Sequence, residues 1–302
     1  MKFRWSVIGH QKQKQYLENA LSGSRLANAY FFSGPSFIGK TSLAIDFARI
    51  LSCLDDKTRP CGKCPSCRIK VESNPDFLIL DGNQEIRISE IRDLQKKLSL
   101  KPFSNSSRVA IIANAENLNS EASSALLKML EEPAGDTHFV FTGFHPSAVP
   151  ATIVSRTQRI FFSHNTPEDL LEFFQRLNVP QADQRQLTRF SLNRIGLAKR
   201  SLADENFSSE LKDYWQQYQA ILGESLFDRL RRTASLADLE SEALQALLTH
   251  WLLIQDQLLA EATEESDLRR LFRTFRALFS AANDVTFNLN KKLLLDNLMI
   301  QI

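Results

Sequence analysis

The chain has 302 residues, 43% of them apolar and 24% charged, long enough for more than one core and too apolar for wholesale disorder. Its 37 Lys and Arg against 35 Asp and Glu leave a formal net charge of +2, which excludes a global basic field, so any contact with a polyanion must be local. Nothing approaches the roughly 18 apolar residues of a membrane span, and the opening MKFRWSVIGHQKQ lacks the apolar core of a secretion signal, so a soluble, cytoplasmic protein is expected.

From Trp5 to about Phe162, short β-rich runs alternate with helix-period stretches. Residues 29–33, 77–80, 109–112 and 139–142 read as buried strands, and the alternation predicts a parallel sheet with helices on both faces. A short strand is also expected at Ile86-Arg87-Ile88, ahead of a helix bearing Arg92, Lys96 and Lys97, with Arg87 and Lys101 beside it. Beyond Thr166-Pro167, a helix-start pair, strand patterns cease. Three short amphipathic stretches fill 167–203, the last after a turn at Asn193-Arg194-Ile195-Gly196. Longer ones follow, including 244–259 and 267–279. The expected organisation is an α/β domain over 1–165, a small helical lid over 166–205 and an all-α bundle over 206–302.

Ser33-Gly34-Pro35-Ser36-Phe37-Ile38-Gly39-Lys40-Thr41 completes the pattern GxxxxGK[ST] between a strand and an apolar helix expected over 42–51. Gly34 and Gly39 let the backbone curl so that amides face a phosphate. Lys40 adds a point charge, and the Thr41 hydroxyl can ligate Mg²⁺. Whether ATP, ADP or nothing fills such a loop is left open. A P-loop ATPase ends a second core strand in an Asp that orients Mg²⁺, with a Glu beside it that polarises water. Here that strand ends in Ala113-Asn114-Ala115-Glu116, and neither position is acidic. Alanine cannot order a metal's hydration shell, and a carboxamide cannot accept a proton as a carboxylate does. Glu116 is expected where the chain already turns away, so hydrolysis by this chain is not expected.

All four cysteines lie in one stretch, Cys53, Cys61, Cys64 and Cys67. Two overlapping CxxC units and a fourth thiol upstream fit a closed tetrahedral zinc site, structural because no coordination position stays open; reduced thiols or a redox pair are the plainer alternatives. The metal would staple an insertion over 53–67 back onto the α/β domain.

Taken with these features, Ile8-Gly9-His10, Asn74-Pro75-Asp76, Ile88-Ser89-Glu90-Ile91-Arg92, Ser124 to Pro133 (SALLKMLEEP) and Thr152-Ile153-Val154-Ser155-Arg156 make the chain resemble the delta-prime family of bacterial DNA polymerase III clamp-loader subunits over nearly its whole length. The resemblance implies an AAA+ fold with lid and collar, and a hetero-pentameric ring with tau/gamma motor subunits and a delta subunit. That ring loads a sliding clamp onto primer-template DNA. It places Arg156 as an arginine finger against the nucleotide of a neighbouring motor, a task suited to a planar, always-charged guanidinium. An arginine pairing with a local acid is the plainer reading.

The family's Ser-Arg-Cys motif has Thr157 in place of its cysteine. No clear polar sensor stands at Thr142-Gly143-Phe144, and Leu197 falls where motors carry an arginine. The cations at 87–101 suit phosphate contact and a solvated helix face equally. Residues 288–298 resemble the family's last collar helix, while Trp251, Phe272 and Phe275 read as core. An active motor subunit, a small-molecule P-loop kinase and a zinc-dependent nucleic-acid binder are the competing readings.

Overall fold

The computed structural model describes residues 1–23, 26–103, 107–285 and 290–302. It divides into two compact units, Met1–Asn178 and Val179–Ile302. Asn288 and Leu289, assigned above to the last helix, lie outside the described residues.

In the first unit the elements run β1 (Lys2–Phe3), α1 (Gln11–Ser22), β2 (Ala29–Ser33), α2 (Lys40–Leu51), β3 (Thr58–Arg59), α3 (Pro65–Arg68), β4 (Phe77–Asp81), α4 (Ile88–Ser99), β5 (Arg108–Ala113), α5 (Ser120–Glu131), β6 (Thr137–Gly143), α6 (Ala151–Val154), β7 (Gln158–Phe161) and α7 (Pro167–Arg176). Five strands form one parallel sheet in the order β4-β5-β6-β2-β7. Because strand side chains alternate between faces, each run feeds two cores. Tyr30, Phe32, Val109, Ile111 and Val140 meet Leu17 of α1 and Leu43 and Phe47 of α2. Phe31, Ala110, Ile112, Phe139 and Phe141 meet Leu94 of α4 and Leu126 of α5. The sheet is therefore covered on both faces, as its apolar runs require.

Two local expectations change. Ile86-Arg87-Ile88 is not a strand: Ile86 makes one isolated bridge to Leu118, and Ile88 already opens α4, whose start is fixed by the Glu90 carboxylate accepting from the Arg87 N–H at 2.9 Å. β7 was not expected from the sequence. As the edge strand it buries only Ile160 and leaves Gln158, Arg159 and Phe161 to solvent, so its run carries no apolar signature.

The second unit is all-helical: α8 (Gln181–Ser191), α9 (Ile195–Ala203), α10 (Glu205–Gly223), α11 (Leu226–Ala237), α12 (Ser241–Glu261), α13 (Glu265–Asp284) and α14 (Lys291–Gln301). Its core gathers Leu197, Tyr218, Leu248, Trp251, Leu278 and Leu298. Phe272, expected there, is instead 55% exposed. A buried polar chain ties three helices: the Tyr218 hydroxyl donates to Gln255 Oε1 at 2.6 Å, and Gln255 Nε2 donates to the Leu271 carbonyl at 2.9 Å. Among the described residues no helix is long and apolar enough to cross a membrane.

Candidate functional site

β2 lies between β6 and β7, so the loop leaving its carboxyl end sits where the strand order reverses, the usual crevice for ligands in such sheets. Gly34 leaves β2 with φ 149°, and its N–H faces the carbonyls of Gly143 and Phe144 at 3.2 and 3.1 Å. A Cβ there would stand 2.2 Å from the Phe162 carbonyl oxygen, so only glycine lets the loop pass β7 this closely. Gly39, at φ 101°, caps α2. The Lys40 ammonium folds into the loop and donates to the carbonyls of Gly34 (2.7 Å) and Pro35 (2.6 Å), contacts that an arriving phosphate would exchange for its own oxygens. The loop also rests on two residues not singled out by role in the sequence. The His10 Nε2–H donates to the Ile38 carbonyl at 2.7 Å, Asn165 Nδ2 lies 3.4 Å from the same oxygen, and burial holds the imidazole below its usual pKa.

Thr41 Oγ1 lies 3.4 Å from Thr142 Oγ1, so the end of β6 presents a hydroxyl to the phosphate loop where the sequence suggested no clear polar group. At the end of β5, Ala113 is buried and Asn114 adopts φ 50°, its N–H donating to Thr142 Oγ1 at 3.3 Å. Glu116 turns back to the sheet edge. Its Oε2 is buried, without a hydrogen-bond partner among the described residues, and stands 2.7 Å from where a Cβ on Gly143 would be. That Cβ position also meets the Phe31 ring, whereas Thr142 pairs beside Phe32. Glu116 thus lies on the α4–α5 face of the sheet, opposite Thr41.

Past α2 the four thiols converge: the sulfurs of Cys53, Cys61, Cys64 and Cys67 all lie within 4.8 Å of one another. Tetrahedral zinc with bonds of about 2.3 Å asks for sulfurs about 3.8 Å apart, so this set fits a structural Zn²⁺ with little adjustment. The backbone is arranged for thiolates. The amides of Lys63 and Cys64 donate to Cys61 Sγ at 3.4 and 3.3 Å and draw that thiol down to about 6, and the Cys61 amide donates to Cys53 Sγ at 3.3 Å. Burial acts oppositely on Cys53 and Cys67, raising the first and pushing the second up to about 12.

Arg156 follows α6 and is partly exposed. Its Nε and Nη2 donate to Glu131 Oε1 at 3.1 and 2.6 Å, and its Nη1 to the Thr152 carbonyl at 3.1 Å. Beside it a groove of about 1060 Å³ opens between the first turns of α5 and the 146–159 segment, lined by the hydroxyls of Ser120, Ser123, Ser124, Ser155 and Thr157 and by Arg159. Just before α4, Arg87 pairs with Glu85, and on α4 Lys96 pairs with Asp93, while Arg92 and Lys97 are exposed. In the second unit Leu197 is buried, and Arg194, fully buried, bonds Asp256 at 2.6 Å.

Residues 9–166, just over half of the chain, match the family described as "DNA polymerase III, delta subunit". The chain is 34% identical to DNA polymerase III subunit tau of Bacillus subtilis over 64% of its own length and 34% of that protein's. It is 30% identical to subunit delta' of the same organism, over 70% of this chain and 66% of that one. It thus spans about a third of the length of the first curated relatives it matches. Among solved structures, a gamma subunit-related protein of Thermotoga maritima shares the fold, with a TM-score of 0.50 at 16% identity over 96% of this chain and 97% of that one.

Proposed function

The chain belongs to the DNA polymerase III delta-subunit family, the clamp-loader family its motifs resemble, and from that premise we propose that it is a delta-prime-type subunit that completes a neighbour's ATPase site without hydrolysing ATP itself. One observation carries this reading. The phosphate loop is whole, yet the strand that should bring two carboxylates to it ends in Ala113 and Asn114, and the next acid along the chain, Glu116, lies on the other face of the sheet.

Gly34, Gly39, Lys40 and Thr41 would hold the phosphates and Mg²⁺ of ATP or ADP. Cys53, Cys61, Cys64 and Cys67 would hold a Zn²⁺ ion that cross-links the 53–67 segment and supplies no chemistry. Arg156 acts in trans. The bonds to Glu131 and Thr152 use three of the five guanidinium donors, and a neighbour's γ-phosphate meets the remainder, where a fixed cation offsets charge developing on the transferring group. The partners in this reading are tau/gamma-type motors and a delta subunit in a five-membered ring, with 166–205 as lid and 206–302 as collar. The ring places a sliding clamp on primer-template DNA in the cytoplasm, and exposed Arg92 and Lys97 are suited to phosphates.

The higher identity to tau favours a second reading, a hydrolysing motor. Steady-state ATPase assays separate the two. The purified chain should turn over at background, and a reconstituted ring carrying Arg156→Ala should lose one site's share of DNA-stimulated hydrolysis together with most clamp loading. Motor-like turnover by the isolated chain, or an unchanged ring, would overturn the proposal.

A further inference from the structure

Helices α13 and α14 pack on one another and enclose between them a groove of about 760 Å³. On its α13 wall stand Arg269, Arg273 and Arg276, with Phe272 between them; on its α14 wall, Leu293. Phe272 is 55% exposed and Leu293 65%, and Ile300, one heptad beyond Leu293 on the same helix, is 61% exposed. A helix as apolar as KKLLLDNLMIQ, which buries Leu295, Leu298 and Met299 on one face and still turns leucine and isoleucine to water on another, has a second apolar face.

The charge is one-sided. Arg269 pairs with Glu265 at 2.6 Å, but neither Arg273 nor Arg276 has an ion-pair partner among the described residues. Asp284, the acid on the groove wall, accepts from Ser280 at 2.9 Å. Two guanidinia thus face a groove whose walls mix the apolar Phe272, Leu293 and Leu294 with the polar Asn290, Asn297 and Gln301.

We infer that the α13–α14 groove docks an acidic amphipathic helix of a neighbouring subunit, with that helix's apolar residues on Phe272 and Leu293 and its carboxylates forked by Arg273 and Arg276. Guanidinium forks match carboxylates bidentately, and a helix laid in a groove is read through anchors at three- and four-residue spacing, the spacing of Arg269, Phe272, Arg273 and Arg276 themselves. Single-stranded nucleic acid would use the arginines, but it stacks on free aromatic faces and gains little from the aliphatic Leu293 and Ile300. The inference deepens the collar role proposed above and rests on it for the source of the helix, not for the chemistry of the groove.

The probe is a fluorescent synthetic helix with leucines along one face flanked by glutamates, titrated against the full chain by anisotropy. Matching arms are a lysine-for-glutamate version and a single-stranded oligonucleotide. The glutamate peptide should bind, weaken with salt, and lose about tenfold or more in affinity with R273E/R276E and with Leu293→Asp, both exposed changes that leave the thermal melt in place. Absence of binding, equal binding of the lysine peptide, or an oligonucleotide that outcompetes the peptide and is lost with the same arginines overturns the inference. If peptide binding follows the variants while ring assembly does not, the groove stands and the collar role fails.

Discussion

Arg194 carries its charge with no exposed surface at all, and its guanidinium bonds Asp256 on α12 at 2.6 Å and reaches the Leu253 carbonyl at 3.5 Å. Burial drives the guanidinium below its usual pKa and the Asp256 carboxylate opposes that shift, so the pair is a balance between desolvation and attraction. Removing one member leaves the other's charge without its counter-charge. Asp256→Ala should therefore cost about 3–5 kcal/mol in a denaturant melt, whereas Arg194→Met with Asp256→Leu, which removes both charges, should cost clearly less. Equal losses in the two proteins would mean that the charge pairing is incidental to the packing. The pair was invisible in the sequence because its members stand 62 positions apart, as Arg156 and Glu131 stand 25 apart. The phosphate loop was legible for the opposite reason: strand, glycines, lysine and hydroxyl are consecutive, and the close pass of Gly34 under Phe162 depends on glycine alone.

Among elements, the three central strands β2, β5 and β6 were readable because all-apolar runs are what a sheet buried on both faces requires, and residues 29–33 were placed with their final bounds; β4 was readable from its apolar run although it lies at an edge and buries only Phe77. Burial explains the failures too. β7 covers one edge and keeps one buried side chain, and Ile86 is fully buried by packing against α4 and α5, which mimics a strand signal without a strand partner on both sides. Helix periodicity located α12 and α13 but could not say which apolar residues stay uncovered, since Phe272 and Trp251 look alike in sequence and end 55% and 0% exposed. What registers these helices is polar. Gln255 links Tyr218 on α10 to the Leu271 carbonyl on α13 from a site with no exposed surface. Gln255→Leu would leave the buried Tyr218 hydroxyl without its acceptor and take from the Leu271 carbonyl its bond beyond the helix, so it should destabilise by about 2 kcal/mol or more despite a gain in apolar volume. Chemical denaturation would show it; a stabilised variant would mean that packing alone sets the register.

For the whole molecule, the two units share an acid sensitivity with the same origin. His10 in the first unit and His250 in the second are both held below the ordinary imidazole pKa, in each case chiefly by burial. His10 gives its Nε2–H to Ile38 under the phosphate loop. His250 gives its Nδ1–H to the Ala246 carbonyl at 2.8 Å and lies against Tyr214, its Nε2 buried with no partner among the described residues. A second proton on either ring would add an N–H to a poorly solvated place, and for His250 Arg200 adds repulsion. In the unfolded chain both titrate near 6.5. Below that value the unfolded state binds protons that the native state refuses, so stability is complete above about pH 6.5 and falls as pH drops toward the native values. The slope is at most about 1.4 kcal/mol per pH unit for each histidine. The carboxylates held low, Asp55 and Glu168, titrate beneath this window, whereas Cys61, drawn down to about 6, adds its own loss of stability at the upper end of it. Urea melts between pH 7 and 5 should thus show stability declining in both units, and His10→Gln with His250→Gln should flatten that slope even if it lowers stability at pH 7. A slope unchanged by the two substitutions would assign the acid sensitivity to other groups and leave the histidines as packing residues only.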